Sequence, residues 1–264
     1  MLLCIDIGNT HTHAARIPPG GRGPGSPIEE FPTASLGDEH HGLAHRLQAW
    51  HAAQPIEAVA FCSVVPAAVE PLRRAVAAAG LPAWQLTAAA DLGVAINYPQ
   101  PAEIGHDRLA NAAGAAALGH VPAVVIDLGT AVTFDIVTRQ GGYEGGIIAP
   151  GPALMTRYLH EKTAQLPLVE DLDRPVDSAI GKSTADAMRI GAVVGFTGLL
   201  QTCLDRVLAE LAAGGESDVT VIACGGAFAL AAGRLRESVV NLPDLTLRGL
   251  AASWVRSTAS RAKD

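Results

Sequence analysis

Residues 2–13 read LLCIDIGNTHTH, and the chain returns to nearly the same phrase at 126–130, IDLGT. In both places an apolar run leads into an aspartate, Asp6 or Asp127, with a glycine two positions on and small polar side chains behind it. An alternating stretch then follows, HTHAARI at 11–17 and AVTFDIV at 131–137. An apolar run, a glycine turn and a period-2 stretch together read as a strand, a tight hairpin and a second strand. The copies stand 121 residues apart, close to half of the 264-residue chain. That offset predicts a duplicated three-strand-plus-helices unit, residues 1–120 and 121–264, with a cleft between the halves.

The rest of the pattern agrees with an α/β class. Strand-like segments lie at 2–7, 11–17, 57–62, 123–127, 131–137 and 219–223, and helical stretches at 38–53, 66–79, 107–119 and about 184–213. Strands alternating with helices bury a largely parallel sheet between helical layers. A third glycine turn, CGGA at 224–227, closes the last apolar strand, and PPGGRGPGSP at 18–27 reads as a hairpin tip or a mobile surface loop.

Composition excludes several function classes. The chain is 49% hydrophobic and 17% charged, so it can build a sizeable core. A net charge of −7 with no basic run argues against nucleic acid or an anionic membrane as partner. Cys4, Cys62, Cys203 and Cys224 are scattered without a C-x-x-C pair, which fits buried thiols in a reducing compartment. Asp6 interrupts the N-terminal apolar run too early for a signal peptide, and the most apolar later run, 190–200, is 11 residues. Spanning a bilayer takes about 20. The expectation is a cytoplasmic protein.

Three constellations carry chemistry. In Asp6-Ile7-Gly8-Asn9-Thr10 and Asp127-Leu128-Gly129-Thr130, glycine allows backbone N–H groups to approach phosphate oxygens, and Asn9, Thr10 and Thr130 can donate to them. Each aspartate can hold a cation or its water shell beside the phosphates. The plainer reading is two hairpins whose aspartates accept backbone N–H bonds; the repetition in matched context favours phosphate. The second is Gly105-His106-Asp107-Arg108-Leu109-Ala110-Asn111, behind the loop Asn97-Tyr98-Pro99-Gln100-Pro101. Asp107, opening a helix, either complements the helix dipole or accepts a proton from a substrate hydroxyl while Arg108 holds a substrate anion. The third, Gly181-Lys182-Ser183-Thr184, is not a P-loop, because Val176 stands where that motif needs its first glycine. Ser183 or Thr184 caps the long helix there, with Asp186 in its first turn. The histidine pairs His11/His13 and His41/His45 lack a third ligand at zinc spacing. The helix 184–213 is apolar around much of its girth, which predicts core plus a subunit interface, with Leu200 and Leu204 as interface candidates.

In order along the chain, DIGNT (6–10), GHDRLAN (105–111), DLGTAVTFD (127–135), GGIIAPG (145–151), TAQLP (163–167) and GKST (181–184) give a series that resembles the type III pantothenate kinases. These belong to the acetate kinase/hexokinase/actin-like superfamily, and the likeness spans the chain. It implies duplicated actin-like (ribonuclease H-like) halves and an enzyme that transfers a phosphoryl group from ATP to pantothenate, the first step of coenzyme A biosynthesis. By resemblance, Asp6, Ile7, Gly8, Asn9, Thr10, His11, Thr12 and His13 form the first phosphate loop, with Asp6 near magnesium through water. Thr130 is a second ATP contact, and Asp127 binds a monovalent cation, potassium or ammonium. Asp107 falls on the catalytic base. Tyr98, Gly105, His106, Arg108 and Thr184 fall on pantothenate contacts, and a homodimer is implied. His106 departs from the family, which commonly carries a small residue there. Rival readings are another small-molecule kinase or phosphatase of the superfamily, and a catalytically silent nucleotide-binding regulator. The short chain disfavours a sugar kinase, and the presence of Asp6, Asp107 and Asp127 together disfavours the silent protein.

Overall fold

The computed structural model describes residues 1–38 and 43–261. The strands are β1 (Leu2–Ile7), β2 (His11–Ile17), β3 (Glu29–Pro32), β4 (Ala58–Ser63), β5 (Ala83–Gln85), β6 (Ala123–Leu128), β7 (Ala131–Thr138), β8 (Gly142–Pro150), β9 (Thr220–Cys224) and β10 (Val239–Asn241). The helices are α1 (Leu43–Ala53), α2 (Pro66–Ala78), α3 (His106–Leu118), α4 (Pro152–Lys162), α5 (Thr184–Ala213), α6 (Phe228–Ala231) and α7 (Leu245–Arg261). Part of the helix expected over 38–53, and His41 of the His41/His45 pair, lie outside the described residues.

Two five-stranded sheets result, ordered β3-β2-β1-β4-β5 and β10-β9-β6-β7-β8. Counted from its own first strand, each sheet has the same order, 3-2-1-4-5. In the first, β1 pairs antiparallel with β2 and parallel with β4. In the second, β6 and β9 are likewise parallel neighbours. The short repeat in the sequence therefore marks duplication of a whole sheet topology.

The chain divides into two compact units: unit 1 is Met1–Val121, Val137–Gly145 and Asp244–Asp264, and unit 2 is Pro122–Ile136 and Gly146–Pro243. The expected halves, 1–120 and 121–264, differ from these units at 137–145 and at the C-terminal helix. Tyr143 and Val137 are buried in the unit 1 core, and so are Leu247, Leu250 and Ala251 of α7.

In unit 1 the period of the strands sorts residues onto two faces. Leu3, Ile5 and Ile7 of β1 pack with Val59 and Phe61 of β4 against Leu43, Leu47 and Leu72 of α1 and α2. Leu2 and Cys4, with Ala58, Ala60 and Cys62, pack on the opposite face with Leu109 and Ala113 of α3 and Leu250 of α7. Buried on both sides, β4 has no exposed position, which is why it reads as a continuous apolar run rather than an alternation. Asp6 continues the Leu2–Cys4 row, and this places its side chain on the α3 face.

The alanine-rich character of α3 has a cause in α7. A Cβ at Gly114 would stand 2.6 Å from the Leu245 carbonyl, and one at Gly249 would fall within the van der Waals shell of the Ala110 carbonyl. The helices cross backbone to backbone, and Thr246 Oγ1 donates to the buried Asn111 Oδ1 at 2.7 Å beside the crossing. The loop 18–27 is a hairpin tip between β2 and β3, and it is tied down. Arg248 of α7 donates to the carbonyls of Gly21 and Gly23, and Arg22 Nε donates to Ala117 O at 2.8 Å.

In unit 2, Phe196, Leu200 and Leu204 of α5 are fully buried against β6, β7 and β9. This corrects the expectation that Leu200 or Leu204 faces a second subunit; both belong to the core. The exposed side carries Val194, 52% exposed, with Gly191, Gly195 and Gly198, where a Cβ would meet open space. Among the described residues α5 alone is long and apolar enough, by length and composition, to cross a membrane. Its apolar character extends beyond the 11-residue run noted in the sequence because this one helix also supplies a large part of the unit 2 core.

Replacing Gly249 tests the crossing. In an isolated helix Gly→Ala gains roughly 1 kcal/mol. Overpacking against a fixed carbonyl costs about 1–3 kcal/mol or more. The clash is the larger effect and leaves a net loss of about 1–2 kcal/mol, so Gly249→Ala is expected to lower the melting temperature by about 2–8 °C. A melt at or above the wild-type temperature contradicts the backbone-to-backbone contact.

Candidate active site

The Asp6 hairpin sits at the end of β1. Gly8 N donates to His11 O at 3.0 Å, and a Cβ on Gly8 would stand 2.9 Å from that oxygen, so the turn closes this tightly only with glycine. Thr33, which follows β3, clamps the turn: its hydroxyl donates to Gly8 O at 2.7 Å and its N–H to Thr10 O. Asn9, Thr10 and His11 are exposed, Gly8 and His13 half-buried. Ile7 is buried in the core, and the hydroxyl of Thr12, also buried, pairs with Thr33 Oγ1 at 3.0 Å. Of this loop, therefore, Asn9, Thr10 and His11 present side chains outward, while Ile7 and Thr12 offer the site backbone only. Thr33 went unnoticed in the sequence because nothing local distinguishes it.

Asp6, His13 and Glu30 lie abreast on β1, β2 and β3. His13 Nδ1 is 3.9 Å from Asp6 Oδ2, and its Nε2 is 3.7 Å from Glu30 Oε2; His11 Nδ1 is 3.6 Å from Glu30 Oε1. Burial lowers the proton affinity of His13, and Glu30 opposes that. The structure thus brings two carboxylates to the histidine pair from neighbouring strands. Among the described residues, no group of three or more His, Cys, Asp or Glu side chains is arranged to hold a metal ion. A single partly exposed carboxylate such as Asp6 suits hydrated magnesium, which keeps most of its waters and is held chiefly by phosphates.

Asp107 stands in the first turn of α3, whose N-cap is Gly105, and its Oδ1 accepts the Arg108 N–H at 2.8 Å. Burial raises its proton affinity above the ordinary carboxylate value; the backbone bond and charge of Arg108 act in the opposite direction. A carboxylate shifted this way lies nearer the range a general base needs. Arg108 is buried, with its guanidinium 5.8 Å from the centre of the Tyr143 ring. Tyr143 in turn is 6.4 Å from the half-buried Tyr98. Backbone bonds from Asn97 N to Tyr143 O and from Tyr143 N to Ala95 O fix the segment that carries Tyr98. Tyr143 lies far from this group along the chain, and only the fold brings it there. Beside Asp107, His106 Nδ1 is buried without a hydrogen-bond partner among the described residues.

Unit 2 repeats the hairpin. Gly129 N donates to Ala131 O at 3.1 Å, which leaves this turn one residue shorter than the first, and Thr130 is exposed. Asp127, half-buried, is the penultimate residue of β6. Gly225, with φ +87°, packs against it so closely that a Cβ would stand 2.7 Å from Asp127 Oδ1. The bond from Ala227 N to Leu128 O matches that from Val64 N to Ile7 O in unit 1. Ser183 caps α5 as expected, accepting from Asp186 N at 3.1 Å, and leaves Thr184 exposed at the helix start. Arg189, 7% exposed, holds Asp171 and Asp186. The Ser183 hydroxyl, with help from Arg189, keeps the Asp186 carboxyl below its usual value.

Solved structures share this architecture at low sequence identity. A Campylobacter jejuni protein described as a conserved Baf family transcriptional activator superposes with a TM-score of 0.60 at 17% identity, covering 100% of both chains. The activator of the 2-hydroxyisocaproyl-CoA dehydratase from Clostridium difficile gives 0.54 at 11% identity, over 100% of this chain and 97% of the other. At these identities the likeness concerns the fold, which is actin-like. Sequence relatives carry the function. A type III pantothenate kinase from Rhodospirillum centenum is 39% identical, covering 98% of this chain and 100% of its own. One from Methylacidiphilum infernorum is 39% identical over 94% of this chain and 86% of its own. With the type III pantothenate kinase profile matching residues 2–206, the chain belongs to the type III pantothenate kinase family and phosphorylates pantothenate in coenzyme A biosynthesis.

Proposed function

We propose that Asp107 is the general base of this kinase and that the two Asp-x-Gly hairpins receive the ATP phosphates. The observation that carries the first assignment is the environment of Asp107: a carboxylate at a helix start whose burial raises its proton affinity, beside the buried cation of Arg108. Asp107 takes the proton of the pantothenate primary hydroxyl as that oxygen bonds to the γ-phosphorus and the bond to the ADP leaving group breaks. Arg108 fixes pantothenate with Tyr98, Gly105, His106 and Thr184. Asn9, Thr10, His11, His13 and Thr130, with the backbone of the first loop, orient the phosphates. Catalysis of this kind is chiefly positioning and charge neutralisation. Asp6 would meet magnesium through water and Asp127 would hold potassium or ammonium, cations that offset phosphate charge when bound.

The exposed glycine strip of α5 supports assembly as a homodimer, since a flat apolar face beside Val194 is readily covered by a twofold mate. Four free cysteines support a reducing compartment, and we assign the cytoplasm.

Asp107→Asn is expected to reduce turnover about 10²–10⁴-fold with ATP binding retained. Near-normal turnover in the folded variant would refute the assignment. Because only ionised Asp107 accepts the proton and burial raises its pKa, the acid limb of the wild-type rate profile should lie above the ordinary carboxylate range. Asp127 sets a second expectation: rates in sodium-only buffer collapse and recover on adding potassium or ammonium, whereas equal rates remove its proposed role. For assembly, Val194→Glu should halve the mass measured by light scattering. An unchanged mass would exclude this face.

A further inference from the structure

We propose that Cys62 is a positioning residue for phosphoryl transfer, its thiol fixing the orientation of the Asp6 carboxylate that meets the magnesium of ATP. This rests on the assignment of the Asp6 hairpin to the ATP phosphates.

Cys62 stands near the end of β4, directly abreast of Asp6 in the parallel β1–β4 pairing. Its Sγ–H donates to Asp6 Oδ1 at 3.2 Å, and the residue is fully buried. The opposite oxygen, Oδ2, is the one near His13. An ionised carboxylate can only accept, so the thiol is the donor of this pair. The terminal torsion of an aspartate is broad and nearly twofold. A donor on one oxygen, approaching from the buried side, selects one orientation of the pair. A thiol donates weakly, so its contribution lies in direction more than in energy.

The arrangement recurs. In unit 2, Asp127, penultimate in β6, is abreast of Cys224 at the end of β9, and Cys224 is also buried. Two of the four cysteines thus occupy the same place in the two copies of one sheet topology, each beside the carboxylate near the end of the first strand. The alternative is that Cys62 is only a small apolar residue filling the space between β4 and α3, where it belongs to the core cluster. A filler needs volume and no donor.

The test separates donor from volume. Cys62→Ser keeps a donor, while Cys62→Ala and Cys62→Val remove it, one with smaller and one with larger volume. The magnesium concentration giving half-maximal rate at fixed ATP should rise roughly 10-fold in the Ala and Val variants, the low end of the effect of removing an outer partner of a metal-binding carboxylate. In the Ser variant it should stay within about twofold of wild type, as should the pantothenate KM in all three. Equal magnesium requirements in Ser and Ala, or a shift confined to thermal stability, overturn the proposal. Asp6→Asn keeps the two ideas apart. If it leaves the magnesium and ATP dependence unchanged, the phosphate assignment of Asp6 fails. If it disturbs both while Cys62→Ala and Cys62→Val disturb neither, only the role of Cys62 fails.

Discussion

A carboxylate is costly within a strand buried on both faces, yet both units of this protein carry one as the penultimate residue of their first strand. Every residue of β1 except Asp6 is buried, and β6 shows the same pattern with Asp127 as its exception. Burying a charge at such a position is costly unless it is paired and hydrogen-bonded. It is tolerated because the strand stops one residue later and a glycine turn opens the sheet to solvent. The rest of the site follows from that constraint. The turn must be tight, so Gly8 closes on His11. Its backbone must be held, so Thr33 reaches in from behind β3. The neighbouring strand must end at the same level, so Cys62 and Cys224 arrive abreast.

Much of this was legible in the sequence, since its signals are local. The aspartate, glycine and following alternation are contiguous, and their recurrence marks duplication before any contact is known. Ser183 and Asp186 cap α5 by a rule that operates over three residues. What could not be read is what depends on distant segments. β5 and β10 are three-residue edge strands with no periodicity of their own. α7 carries a low apolar signal because much of its buried surface is glycine, alanine and serine, whose role appears only against α3. Tyr143 joins Arg108 and Tyr98 from far along the chain, and Glu30 joins His11 and His13 from the next strand.

The long helix shows how composition can mislead about direction. Its leucines looked surplus to a single buried stripe, but Leu200 and Leu204 are core. The open side is built of glycine with Val194. Hydropathy counts apolar side chains and gives glycine no weight as surface, although a glycine face lets another backbone approach closely. An outward face of this kind is almost silent in a hydropathy profile.

The place of α7 bears on how the protein is made. Unit 1 is discontinuous: its sheet comes from the first third of the chain, but Leu247, Leu250 and Ala251, which close one face of that sheet, come from the end. The carbonyls of Gly21 and Gly23, near the N-terminus, wait for Arg248. While the ribosome is still translating unit 2, the α3 side of the first sheet is covered by α3 but not by α7, with Ala110 and Gly114 of α3 lacking the helix they pack against. Domains emerging N-terminal first usually fold as they appear. Here the half that appears first is the last to be completed, so the nascent chain carries an incompletely covered apolar face until α7 is made.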